Sequence, residues 1–161
     1  MAARGRGLTR GPLLTGAHRN TFAAMLDSFF DHAAITDGIT VRVAVNFLPE
    51  QSAPEEARWF WAYHVRIENG SDRTVQLLTR HWRITDAGGG VNLVEGEGVV
   101  GEQPVLEPGA SHDYVSGCPL PTPWGSMEGR YTFAGEDGQG NTTRFEAAIP
   151  FFPLEAGETT R

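Results

Sequence analysis

The sequence contains no lysine, so each of its 13 basic side chains is an arginine. It holds one cysteine, Cys118, which excludes an intrachain disulfide and frees the fold from any need for an oxidising compartment. No apolar run approaches the ~20 residues that a membrane-spanning helix requires. The densest, residues 59–63, is only strand-sized. Residues 11–17 are too short and broken for a secretory apolar stretch. The expectation is therefore a cytoplasmic protein with no membrane insertion. Positive charge is also unevenly placed. In residues 1–34, Arg4, Arg6, Arg10 and Arg19 outnumber Asp27 and Asp31, whereas the remainder sets nine arginines against 18 acidic groups. An acidic domain is repelled by the nucleic-acid backbone, where affinity rests on cations, so nucleic acid is excluded as a direct partner.

What the sequence does have is material for one globular domain: 161 residues, 40% of them hydrophobic, enough to bury a core without staples. Its 20 glycines and 10 prolines are spread along the chain, as expected for many short strands joined by turns. Residues 1–20 are rich in Arg, Gly and Thr, lack periodicity and read as a disordered tail. Phe22, Met25, Leu26, Phe29 and Phe30 then fall on one helical face, with Asn20 or Thr21 as the N-cap. This predicts a short amphipathic helix packed on the domain. Asp27 and Asp31 on its polar side argue against a membrane anchor.

From Gly38 the period becomes two. Ile39, Val41, Val43, Val45 and Phe47 alternate with polar or small residues, and Trp59, Trp61, Tyr63, Val65 and Ile67 share one face of the next strand. Asn69-Gly70 opens a turn. Val75–Asp86 is a third strand with Trp82 and Ile84 facing the core, and the adjacent Leu77 and Leu78 slip its alternation, predicting a bulge. Further strands are read at Val91–Glu97, Val105–Leu106, 111–116, 127–133 and 144–151, with Pro119, Pro121 and Pro123 marking an extended loop. Phe133 and Phe145 are expected to join the core. No helices alternate with these strands, so the pattern argues for an all-β antiparallel sandwich.

Gly96, Gly98 and Gly101 match the GxGxxG spacing of dinucleotide sites. That motif needs a helix starting inside it to aim N–H groups at a phosphate. Pro104 and Pro108 forbid one here, and Glu95, Glu97 and Glu102 oppose an anion, so the glycines read as serving a bulge and a turn. Glu95 and Glu97 share a strand face and are weak candidates for Mg²⁺ oxygen ligands, although such pairs are ordinarily solubilising. The histidines show no metal-ligand spacing. His64 and His81 read as surface or half-buried. Arg80, in phase with Trp82, points toward the core unless the bulge near Thr79 turns it out or a carboxylate pairs with it. Cys118 has no basic neighbour to lower its pKa. No nucleophile, base and orienting group can be picked out together, which points away from an enzyme.

Several segments resemble the ApaG domain family: Phe47-Leu48-Pro49-Glu50-Gln51-Ser52, Val75-Gln76-Leu77-Leu78 with Arg80-His81-Trp82, and Gly96-Glu97-Gly98-Val99-Val100-Gly101-Glu102-Gln103-Pro104. Leu106-Glu107-Pro108-Gly109, Tyr114-Val115-Ser116-Gly117 and Thr122-Pro123-Trp124-Gly125-Ser126-Met127-Glu128-Gly129 continue the match in order. The resemblance covers about residues 39–154. It implies an immunoglobulin- or fibronectin III-like sandwich over residues 35–161, with residues 1–34 as an extension, no catalytic residues and no cofactor. It also implies a family label tied to cobalt and magnesium efflux, and relatives that serve as protein-binding domains in F-box proteins. A chain without a spanning segment cannot itself be a pump.

The expected function is thus non-catalytic binding of a protein partner. The alternative is a phosphate, pyrophosphate or nucleotide held at the loop 96–101. Counting strand reversals places that loop and Trp124 at one end of the sandwich, provided Val105–Leu106 runs opposite to Val91–Glu97. Gly96, Gly98, Gly101 and Trp124 are therefore the candidate binding residues, with Trp124 either an aromatic anchor or a plug.

Overall fold

A computed structural model describes residues 16–157. After the helix α1 (Gly16–Phe29) come nine strands: β1 (His32–Thr36), β2 (Ile39–Phe47), β3 (Trp59–Asn69), β4 (Val75–Asp86), β5 (Val91–Glu97), β6 (Val105–Leu106), β7 (Ser111–Leu120), β8 (Trp124–Glu136) and β9 (Thr142–Glu155). They form an antiparallel sandwich. One sheet has the order β1-β2-β3-β7, the other β5-β4-β8-β9, with β6 also on β4.

The period-two segments form the central strands with the bounds that alternation predicts. Val41, Val43, Val65 and Ile67 pair across β2 and β3 and are fully buried. Trp61 and Trp82 are also buried, as are Tyr63 and Phe133; Ile84 and Phe145 are half-buried against the same core. The predicted bulge is present. The register with β8 shifts between Leu77 and Thr79, leaving Leu78 as the extra residue. A second shift leaves an extra residue on β9 opposite the 127–129 stretch of β8, and Pro150 lies in that irregular stretch. Pro119 is accommodated differently. On β7 the even-numbered residues bond to β3, as Asn69 N to Ala110 O sets the phase, so the missing N–H of Pro119 faces the free edge. This lets β7 run on to Leu120, past the loop predicted from its prolines.

The lower end of the sandwich is pinned by Asn69, which is buried and polar. Its amide nitrogen donates to Arg73 O (2.7 Å) and Leu106 O (2.9 Å), and its carbonyl oxygen accepts from the Ser71 N–H and hydroxyl. A buried amide is tolerated because each of its groups has a partner.

The start of the chain differs from the sequence expectation. The tail expected over residues 1–20 lies outside the described residues as far as residue 15, and from Gly16 the chain is helical. Asn20 and Thr21 lie inside α1 and cannot cap its start. Of the predicted apolar face, only Phe30 is buried. Leu26 is half-buried, and Phe22, Met25 and Phe29 are exposed. Contacts joining the C-terminal end of α1 to the sandwich include Asp27 with Arg42 at 2.9 Å and the rings of Phe29 and the following Phe30, which meet His64 edge-on. The boundary expected after residue 34 falls inside β1, an edge strand whose one-sided burial leaves little hydrophobic pattern to read.

Candidate functional site

The glycine loop is a bulge and a turn. Gly98 donates its N–H to Leu78 O (2.8 Å), and Val99 and Glu102 bond each other's backbone at 2.8 and 3.0 Å, closing a two-residue hairpin through Val100 and Gly101. Both central residues have positive φ, 47° and 79°, as such a hairpin requires. At Gly98, φ is +67° and a Cβ would stand 2.3 Å from Glu102 O. Three of the loop's N–H groups are therefore committed within the chain, and no helix begins there.

Trp124 does not join this loop. Gly98 sits opposite Leu78, near the lower end of β4, whereas Trp124 starts β8 beyond the Asp86–Gly125 pair at the upper end. About nine strand residues, roughly 25–30 Å, separate them. The strand count fails at Val105. Residues 105–106 pair antiparallel with β4, as β5 does, so β5 and β6 run the same way along one edge of β4. The reversal assumed there does not occur, and everything after it changes ends. Trp124 is 57% exposed, so it does not plug the sandwich either. Glu95 and Glu97 are both exposed; Glu95 Oε2 lies 3.3 Å from His81 Nδ1, outside hydrogen-bond geometry. Among the described residues no group of three or more His, Cys, Asp or Glu side chains gathers to hold a metal.

A concavity lies elsewhere, on the side of the sandwich between β5 and β7, each an edge of its sheet among the described residues. It has a volume of about 520 Å³. Trp82, Ile84, Leu120 and Met127 form apolar walls, and Asp86 lines its upper end. Arg80, Tyr63 and Ser116 line its lower part. Below them the gap between the sheets is filled: Val99 is buried there, and the Tyr114 and Tyr131 hydroxyls bond to each other.

Arg80 is the residue whose role the sequence left open. It keeps the phase of Trp82 and Ile84 and faces the cleft, so the bulge does not turn it out, and among the described residues no carboxylate pairs with it. Its Nη1 donates to Glu97 O (3.0 Å) and Gly98 O (2.8 Å). The guanidinium lies against Gly96, where a Cβ would come within 2.8 Å of Nη2. Gly96 thus makes room for this cation. Arg42, Arg58, Arg66, Arg83 and Arg130 each have a carboxylate within 3.9 Å; Arg80 has none among the described residues.

The tyrosine and thiol groups in and below the cleft are held neutral. Burial raises the pKa of Tyr63, against the opposing effect of its hydrogen bond to Ser116. Burial pushes the Cys118 thiol up to about 11 and raises both Tyr114 and Tyr131. A thiol held protonated at neutral pH is a poor nucleophile. The inward phase of Arg80 was the one sequence signal for this cleft, since Tyr63 and Trp82 read simply as core.

A sequence profile of the ApaG domain matches residues 49–135. Protein ApaG of Brucella suis biovar 1 (strain 1330) is 54% identical over 130 residues, covering 81% of this chain and 97% of that protein. Protein ApaG of Methylobacterium sp. (strain 4-46) is 52% identical over the same shares. A crystal structure from Bordetella pertussis, of a protein named ApaA, aligns with a TM-score of 0.69 at 45% identity, covering 75% of this chain and 95% of that one.

Proposed function

This chain belongs to the ApaG domain family, and from that footing we propose that it is a non-catalytic, cytoplasmic binding domain that takes an extended segment of a protein partner into the cleft between β5 and β7. The observation that carries this reading is the cleft itself. It is concave, lined in similar measure by aromatic and aliphatic side chains and by polar groups, and flanked by two strand edges unpaired among the described residues. Such a site suits an extended peptide, which gains main-chain hydrogen bonds from an edge and specificity from alternate side-chain pockets. On β5 the phase set by Gly98 N to Leu78 O turns the main-chain groups of Val91, Leu93, Glu95 and Glu97 toward the free edge. The raised thiol and tyrosine pKa values favour binding over catalysis.

The alternative, a phosphate or nucleotide held by Gly96, Gly98 and Gly101, has less support because the Gly98 and Val99 N–H groups are bonded to the Leu78 and Glu102 carbonyls. Any part in cobalt or magnesium homeostasis, as the family resemblance implies, then runs through the partner. The test is site-specific photo-crosslinking in cells. A photoreactive side chain at Asn92 or Pro121, both lining the cleft, should capture a partner, and one at the exposed Ile35 on the opposite edge should not. Equal capture from all three positions would sink the proposal.

A further inference from the structure

We infer that the cleft reads a free C-terminus: the partner's segment ends at Arg80, whose guanidinium receives the terminal carboxylate. This rests on the peptide-binding reading above and specifies its ligand. Three observations support it. The first is charge. Arg80 is half-buried, faces the cleft and, like Arg73 and Arg144 outside the cleft, has no carboxylate partner among the described residues. Its two backbone acceptors engage Nη1, which leaves Nε and Nη2 without a partner among the described residues. A guanidinium presents its donors as a fork that matches a carboxylate.

The second is shape. The residues lining the cleft stop at Arg80, and beyond it the core is closed by Val99 and by the Tyr114–Tyr131 pair. A chain running down the cleft has no path past this point, so the group it presents to Arg80 is its end rather than a side chain along its length. The third is polarity. Arg80 lines the lower end and Asp86 the upper end, six residues apart on β4, about 20 Å. That length holds about six extended residues running from a negative upper end to a positive lower end. Of the mutually bonded hydroxyls of Tyr63 and Ser116, beside Arg80, one keeps its hydrogen free as a neutral donor for the second carboxylate oxygen.

The experiment compares two fluorescein-labelled random hexapeptide pools on the intact protein, identical except that one ends in a free carboxylate and the other in an amide. Members of the acid pool should bind, shifting the amide NMR signals of Val94 and Ser116, and amidation should weaken each binder about tenfold or more. Arg80→Gln should reduce the acid peptides to the level of their amides, and Arg80→Lys should retain part of the difference. The acid–amide comparison needs no mutant, so it stands even if a variant folds poorly. Equal binding of both pools at the cleft overturns the terminal-carboxylate inference and leaves the peptide-binding reading intact. Binding of neither pool, with inorganic phosphate alone shifting the Arg80 signals, overturns both in favour of a free anion.

Discussion

Tyr114 and Tyr131 hydrogen-bond to each other through their hydroxyls across the sandwich, one from β7 and one from β8. Each is a buried phenol whose polar tip is satisfied by the opposite sheet. Removing one hydroxyl leaves the other buried and unpaired, which costs about 1–3 kcal/mol, whereas removing both deletes the demand along with the bond. Tyr114→Phe should therefore destabilise the protein in urea titrations, and the Tyr114→Phe/Tyr131→Phe double variant should lose less than the two single losses added. Simple additivity would show that the bond does not couple the sheets.

Stability should fall in alkali. Cys118, Tyr114 and Tyr131 are all acids whose folded pKa values are raised by burial. Once the pH passes the thiol's ordinary value, the unfolded chain ionises and the folded one does not, so each rise in pH favours unfolding. For Cys118 the decline begins near the ordinary thiol value and is complete above about 11, contributing roughly 2–3 kcal/mol. Cys118→Ala should flatten the part of the urea-midpoint profile that the thiol supplies. A midpoint that holds steady from neutral pH to pH ~10.5 would contradict this.

Two glycines of the hairpin loop should respond differently to alanine. At Gly98 a Cβ meets Glu102 O in an already left-handed backbone, and the substitution should cost at least about 2 kcal/mol. At Gly101 nothing lies within 4 Å of the new atom, so only the left-handed penalty remains, about 1 kcal/mol. Equilibrium unfolding of the two variants should rank them in that order. The reverse ranking would mean that the loop relaxes more freely than its hydrogen bonds indicate.

The helix should be largely dispensable while its foot is not. Phe22 is 50% exposed and Met25 59%, whereas Phe30 is 5% exposed. Deleting residues 1–24 should leave the melting temperature within a few degrees. Phe30→Ala should instead cost about 3 kcal/mol or more. A large loss from the deletion would reveal a stabilising role for the removed residues.

The central strands were legible because their side chains obey one period and their ends carry turn residues. In β3, buried Trp61, Tyr63, Val65 and Ile67 alternate with half-buried partners, and Asn69-Gly70 closes the run. Legibility failed where tertiary setting overrides local pattern. Pro119 looks like a strand breaker until β7 is known to be an edge. His32–Thr36 has too little apolar alternation to announce β1. The placement of Trp124 turned on the direction of two residues, Val105 and Leu106, and nothing in a two-residue strand encodes its direction. The cleft was the least readable feature, since it is made by two edges that are distant in sequence. Only Arg80, a charge in a core phase, hinted at it.

The collinear placement of β5 and β6 along one side of β4 gives the domain an end stop. The hairpin around Val100 projects between them, immediately after Glu97. A strand added to β5 finds seven residues to pair with and then meets this projection. An unbroken edge would invite copies to stack into a growing ladder. Here the interruption limits how far any strand added to β5 can extend, which opposes polymerisation along that edge.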